Sequence, residues 1–179
     1  MNVLGIHDGR DPCVALLRDG VLTRIGFEAD YSDEPFEVSG FPARALDQIL
    51  AIERLRPDSI DVVAYAGLTL PVPRSRRELL QQFAESGTFR GATRRLWRVA
   101  VAFGEPVVSR RERLAPLEKA GLRADRSTFI DHHLAQAALA AAGVRSPDGR
   151  VLVLVCEGSG DSMCASVHVS RGGRLDRVA

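Results

Sequence analysis

A strand–loop–strand–turn pattern occurs twice in this chain, over residues 3–22 and again over residues 153–175. Each copy has an apolar strand, a loop containing Gly and Asp, a second strand and a Gly turn that leads into a third strand. The repeat indicates a duplicated fold, in which the second copy contains only its first hairpin. A lone hairpin with an unfinished third strand is marginal in water and has an open edge, so we expect further polypeptide to cover it.

Helix and strand patterns alternate between the two copies. Apolar residues near helical period after Pro42 predict a helix, and residues 62–66 form a fully apolar strand of the buried, parallel type. Further helices are expected over 76–83, 94–103, about 110–120 and 132–142, with a short strand over 128–130. The helix over 132–142 is almost wholly apolar, so we expect it to be buried on most sides. The sequence thus predicts an α/β fold, with a first lobe over 1–145 and the start of a second over 146–179.

Composition narrows the functional classes. The 179 residues include 24 Lys and Arg against 23 Asp and Glu, a balance that argues against a nucleic-acid partner. No apolar run approaches the roughly 18 residues that a membrane helix needs. The three cysteines fit no metal or disulfide pattern, which favours a cytoplasmic protein. Residues 74–126 hold 13 basic and six acidic residues, either as a solvated face or as a patch for an anionic substrate or an acidic partner.

Five ordered sequence blocks resemble the carbamoyltransferases of antibiotic and nodulation-factor biosynthesis. They are Gly5–Asp11, Val14–Leu16 with Asp19–Gly20, Gly40–Pro42, Ile130–Ala135 and Glu157–Asp161. The resemblance covers the N-terminal part of that family, which is related to the tRNA threonylcarbamoyl-transferring protein. It implies an actin-like, sugar-kinase-like and ribonuclease-H-like lobe, with a mixed sheet that has helices on both faces.

The resemblance also implies cofactors and partners. In the family, a C-terminal domain makes carbamoyl-adenylate from ATP and carbamoyl phosphate, and the N-terminal part passes the carbamoyl group to a small-molecule acceptor. A divalent metal such as Fe2+ lies in the cleft. We therefore expect a protein partner that supplies the carbamoyl-adenylate domain and the rest of the second lobe, with no nucleic acid and no membrane.

The predicted metal ligands are His132 and Glu157. The family has a second His four residues after His132, where residues share one helix face, but this chain has Gln136, a poor ligand for a divalent transition metal. Glu157 stands where the family has Asp. In the alternative interpretation, His132 and His133 cap and satisfy the start of a buried helix.

The loop after the first strand provides the predicted catalytic residues, Arg10 and Asp11. The family shows His-Asp here, and Arg10 cannot act as a general acid or base near neutral pH, although it can hold a phosphate. The alternative is an exposed polar turn. Phe36 and Glu37 replace a Lys-His pair of the family, and Glu28 has either a functional role or a solvated position at a strand end.

Residues Gly158, Ser159, Gly160 and Asp161 resemble the phosphate loop of the second lobe. Glycines let backbone N–H groups approach a phosphate closely. The alternative is a plain hairpin turn.

Three functional hypotheses follow. The chain is the small subunit of a split, heteromeric carbamoyltransferase, a catalytically degenerate pseudoenzyme that stabilises or regulates a complete one, or an inactive remnant. In each case we expect the isolated chain to have no transferase activity. The sequence leaves open whether the chain takes part in catalysis.

Overall fold

Two β-sheets, one after the other along the chain, form the framework of this protein. The computed structural model describes residues 1–32, 40–70, 108–144, 146–161 and 163–179. The strands are β1 (Asn2–His7), β2 (Cys13–Arg18), β3 (Val21–Phe27), β4 (Val62–Ala66), β5 (Ser127–Ile130), β6 (Arg150–Gly160), β7 (Met163–Arg171) and β8 (Arg174–Arg177). The described helices are α1 (Ala43–Ile52), α2 (Arg110–Lys119) and α3 (His132–Gly143).

The first sheet has the strand order β3-β2-β1-β4-β5. β2 is antiparallel to both β1 and β3, whereas β4 is parallel to both β1 and β5. A meander of three strands followed by two parallel strands on the other side of β1 is the order expected for a ribonuclease-H-like lobe. The predicted α/β class with a mixed sheet is therefore confirmed.

The main core lies on one face of the first sheet. Leu4 of β1 is paired with Leu16 and Val63 on its two sides, and all three belong to one buried cluster with side chains of α1 and Leu117 of α2. The alternate apolar residues of the strands face this core, and so does the apolar side of α1. Both described helices next to this sheet pack on the same face. The helices predicted over 76–83 and 94–103 lie outside the described residues, and so do Phe36 and Glu37.

Glu28 holds the start of α1. Its side chain is buried, and its carboxylate accepts hydrogen bonds from the backbone N–H groups of Arg44 at 3.2 Å and Ala45 at 2.9 Å. A carboxylate at a helix N-terminus satisfies free donors and complements the helix dipole. The interpretation of Glu28 as a solvated strand end is therefore wrong.

The second sheet has the order β6-β7-β8, and all of its pairs are antiparallel. α3 packs on one face of it, where Ala137 contacts a cluster with Val153 and Val155. The prediction that this helix is buried on most sides is wrong, because Leu139 is 72% exposed and only His133 and Ala137 are buried. Its apolar character comes mainly from alanines on every side, which need no burial.

The other face of the second sheet is open among the described residues. Leu152 and Leu154 of β6 are 72% and 66% exposed, and they pair with Val169 and Val167 of β7. The predicted turn over 158–161 forms later than expected, because β6 continues to Gly160 past an irregularity after Cys156. None of the described helices has the length and apolar character needed to cross a membrane.

Candidate functional site

The candidate site lies where α3 begins and β6 ends. Asp131 caps α3 by accepting a 2.9 Å hydrogen bond from the backbone N–H of Leu134. His132 is the first residue of the helix, and Gln136 is one turn later on the same face. Glu157 reaches the same place from β6, so two elements bring these three side chains together.

The three side chains are in direct contact. His132 Nε2 is 3.1 Å from Glu157 Oε2, and Gln136 Nε2 is 2.9 Å from His132 Nε2 and 3.1 Å from Glu157 Oε2. The side chains of His132 and Glu157 are each 21% exposed, so a small molecule has access to both. The structure thus places His132, Gln136 and Glu157 next to one another. The metal-binding role of His132 and Glu157 stays a prediction.

The arrangement shows how Gln136 changes the chemistry. An amide –NH₂ has two donors, which here face a ring nitrogen and a carboxylate oxygen. The amide therefore lies between two acceptors. Among the described residues, no three His, Cys, Asp or Glu side chains are grouped to hold a metal ion. His132 and Glu157 are fewer than the ligands of a tight site, so the residues that the structure describes do not complete a site for Fe2+.

Gly160 makes room for this cluster. A Cβ at this position would clash with the Glu157 carboxylate and would lie 2.7 Å from His132 Cδ2. The close approach requires glycine, so the second glycine of the predicted phosphate loop serves the His132–Glu157 contact. Gly158 and Ser159 belong to the same strand end, and phosphate binding there stays a prediction.

Asp161 joins the second sheet to the first. Its carboxylate accepts hydrogen bonds from the backbone N–H groups of Leu68, Thr69 and His132 and from the Thr69 hydroxyl, at 2.7–2.9 Å. Burial alone would raise the pKa of Asp161, but these donors outweigh it and hold the pKa below its usual value. The carboxylate thus occupies one N–H donor at the start of α3, that of His132, which an anion would otherwise use.

Arg10 and Asp11, the predicted catalytic residues, are both exposed. Asp11 has a φ of 56°, as expected at a tight turn. Within the described part of the chain, neither side chain makes a hydrogen bond, which agrees with the polar-turn interpretation. Their proposed role stays a prediction. The neighbouring Asp8 is buried instead and pairs with Arg113 of α2.

Sequence reasoning missed His7 as a member of this region. Its ring centroid is 6.0 Å from that of His132, and its Nε2 is 2.9 Å from the carbonyl oxygen of Arg10. A signal was available, because β1, β4 and β5 are parallel and their C-terminal ends meet at one edge of the sheet. His7 ends β1, and His132 follows β5.

Comparison with known proteins finds matches among solved structures. No family model and no curated protein matches this chain. YeaZ from Pseudomonas aeruginosa matches 99% of this chain and 64% of its own, with 12% identity and a TM-score of 0.44. A structure described as an uncharacterized protein with similarity to peptidase YEAZ from Pseudomonas aeruginosa matches 99% and 63%, with 12% identity and a TM-score of 0.47. The chain spans less than two thirds of either structure.

Proposed function

We propose that this chain is the small subunit of a split carbamoyltransferase and provides one side of the cleft in which the carbamoyl group is transferred. The observation that carries the proposal is the contact of His132 with Glu157, from two elements, at a position open to a small molecule. The resemblance to the carbamoyltransferases supplies the substrate class, a carbamoyl-adenylate and a natural-product hydroxyl or amine.

Glu157 is the group best placed to act as a base in this transfer. Its Oε2 accepts the proton of the acceptor hydroxyl or amine while that oxygen or nitrogen forms a bond to the carbamoyl carbon. The bond from this carbon to the phosphate oxygen breaks, and AMP leaves. Gln136 Nε2 donates a hydrogen bond to Glu157 Oε2 at 3.1 Å and so orients the carboxylate. No step is assigned to a metal, because no complete metal site is formed within the described ranges of the chain.

A partner polypeptide would supply the carbamoyl-adenylate domain, with its ATP and carbamoyl phosphate, and would cover the second sheet. The open apolar face at Leu152 and Leu154 supports this part of the proposal. A partner strand added beside β6 would pair with the backbone groups at that edge, and the partner's packing on the open face would bury both leucines.

A second candidate function is favoured by Gln136. Its amide bridges His132 and Glu157 where the family has a metal ligand, so the cluster is satisfied without a metal. A catalytically degenerate subunit that stabilises or regulates a complete carbamoyltransferase would have this property.

Co-expression with the product of the adjacent gene separates the two candidates. Label from radiolabelled carbamoyl phosphate is followed into small molecules, with and without this chain and with Glu157→Gln. The split enzyme requires the chain and its Glu157. The regulatory subunit raises transfer by a partner that is already active, and Glu157→Gln has no effect. Transfer that is independent of the chain would contradict both candidates.

A further inference from the structure

A row of buried polar side chains leads from Glu157 into the protein interior. His133 Nδ1 is 2.7 Å from Ser166 Oγ, and Ser166 Oγ is 2.8 Å from His168 Nε2. On the other side of the His133 ring, Nε2 is 3.1 Å from Glu157 Oε1. Both histidines are fully buried and Ser166 is nearly so. The row thus connects α3, β6 and β7 behind the candidate site.

The transfer step proposed above uses neither the two histidines nor the serine. His133 Nε2 and Glu157 Oε1 are both buried, and among the described residues neither has a hydrogen bond of good geometry. The two atoms are nevertheless 3.1 Å apart, and one is a ring nitrogen that can donate an N–H to the other, a carboxylate oxygen. An unsatisfied buried polar group destabilises the folded state, so a small adjustment that forms this bond is favourable.

The two ends of the row determine the direction of its protons. A carboxylate oxygen accepts hydrogen bonds, so the His133 tautomer that complements Glu157 Oε1 has N–H at Nε2 and a lone pair at Nδ1. Ser166 has one proton and donates it to that lone pair. The serine oxygen then accepts from His168 Nε2–H, which leaves His168 Nδ1 as a bare lone pair.

The reverse order is disfavoured at both ends. It places a lone pair of His133 against the Glu157 carboxylate, and it places an N–H at His168 Nδ1, which has no partner among the described residues. Burial, reinforced by the charge of Arg177, lowers the pKa of His168, so its ring stays neutral. A neutral ring is what the single direction requires.

The residue types also match a Ser-His-Glu triad, but the geometry excludes nucleophilic catalysis. Ser166 is only 3% exposed, and its oxygen lies between two buried rings. A nucleophile must reach its substrate, and this hydroxyl does not. The row therefore contacts Glu157 through its buried Oε1 atom.

We propose that His133, Ser166 and His168 are positioning residues that hold Glu157 Oε1 and thereby aim Oε2 at the side of His132 and Gln136. The effect of these residues on the transfer rate rests on the proposed function, whereas the positions of the protons on the two rings do not. Outer residues that fix the orientation of a reacting group matter because a displacement of about 1 Å can cost about a hundredfold in rate.

Nitrogen NMR of the imidazole rings tests the proton order in the unaltered chain. We expect His133 and His168 both to carry their proton on Nε2, with a strongly deshielded, unprotonated Nδ1. A proton on Nδ1 of either ring would overturn the proposal. The NMR measurement needs neither a variant nor transferase activity, so it tests the proton positions even if the proposed function is wrong.

Ser166→Ala tests the positioning role in the co-expressed complex. We expect kcat to fall by about 10–100-fold with little change in KM, because the reacting group is misaimed while the substrate contacts remain. Ser166→Thr keeps the hydroxyl and should restore most of the rate. Ser170→Ala, the same change on the same face of β7, should have no effect. If Ser166→Ala and Ser170→Ala give equal rates in an active complex, the positioning role is contradicted.

Discussion

Asp8 and Arg113, 105 positions apart in the chain, form a buried two-pronged ion pair. Arg113 Nε is 2.8 Å from Asp8 Oδ2, and the terminal nitrogen NH2 is 2.8 Å from Oδ1. The other terminal nitrogen donates to the carbonyl oxygen of Gly67 at 2.9 Å, and the guanidinium stacks over the Phe129 ring at 4.7 Å. This one side chain thus ties α2 to the ends of β1, β4 and β5, at the edge where His132 begins α3.

Arg113→Met should destabilise the fold strongly. The change removes one charge of a buried pair and leaves Asp8 without compensation, which costs about 3–5 kcal/mol. Urea unfolding monitored by circular dichroism measures the loss. Arg111→Met, at an exposed position of the same helix, should change the free energy of unfolding by less than about 0.5 kcal/mol. Equal, small losses for the two variants would contradict the importance of the pair.

Sequence patterns predicted the elements of the fold better than the contacts between them. The strands of the first meander and α1 follow from alternation, from the Asp19–Gly20 turn and from apolar spacing, which are local signals. The Asp8–Arg113 pair has no such signal, because a charged residue on α2 looks like any other in an Arg-rich segment. α3 was expected to be buried on most sides because its composition is apolar, but alanines carry little information about which side faces the sheet.

The candidate site was predicted in part. His132, Gln136 and Glu157 were brought together by the resemblance, and the four-residue spacing explains why the first two share a face. Ser166 and His168 were not singled out, because a lone Ser and a lone His in a strand give no signal. Only the pairing of β6 with β7 and the packing of α3 bring them behind Glu157.

Gln136→His should convert the cluster into a metal site. The new imidazole would replace the amide donor between His132 and Glu157 with a third ligand, so the affinity for zinc and ferrous iron should rise at least about tenfold. Isothermal titration calorimetry of the chain with each metal measures the gain. Gln48→His, on the exposed side of α1, adds the same group away from the cluster and should not raise affinity. Unchanged binding by a folded Gln136→His variant would contradict the geometry of the cluster.

Asp161 should make stability depend on pH. Its folded-state pKa lies below the unfolded value, so the carboxylate contributes stability above the unfolded pKa near 3.8. That contribution is lost as the pH falls through the folded-state pKa. Asp161→Asn should therefore weaken the fold near neutral pH by about 1–3 kcal/mol and flatten the decline in stability below about pH 5.

Urea unfolding at a series of pH values measures the free energy of unfolding of Asp161→Asn and of the unaltered chain. Asp47→Asn, at an exposed position of α1, is the matched control and should follow the unaltered chain. Asp161→Asn and the unaltered chain should differ most near neutral pH and converge in acid. A constant difference at every pH would show that the charge of Asp161 is not what stabilises the junction.

The open face of the second sheet should bind the partner. Leu152→Thr combined with Leu154→Thr introduces β-branched residues, which suit a strand, and removes two exposed apolar side chains, so the chain itself should keep its melting temperature. Co-purification with the product of the adjacent gene should fall sharply. Leu139→Gln removes an equally exposed leucine from α3 and should not affect co-purification. Equal retention of the partner by both variants would place the interface elsewhere.

The transfer rate of the co-purified complex, with Glu157 intact or changed to Gln, tests the central claim most directly. The account predicts no transfer of labelled carbamoyl by the chain alone, transfer by the complex, and a loss of about a hundredfold or more in kcat for Glu157→Gln. Glu118→Gln, an exposed change on α2, should leave the rate unchanged. Transfer by the chain alone, or a complex whose rate is the same with Glu157→Gln, would contradict the claim that this chain provides one side of the transfer cleft.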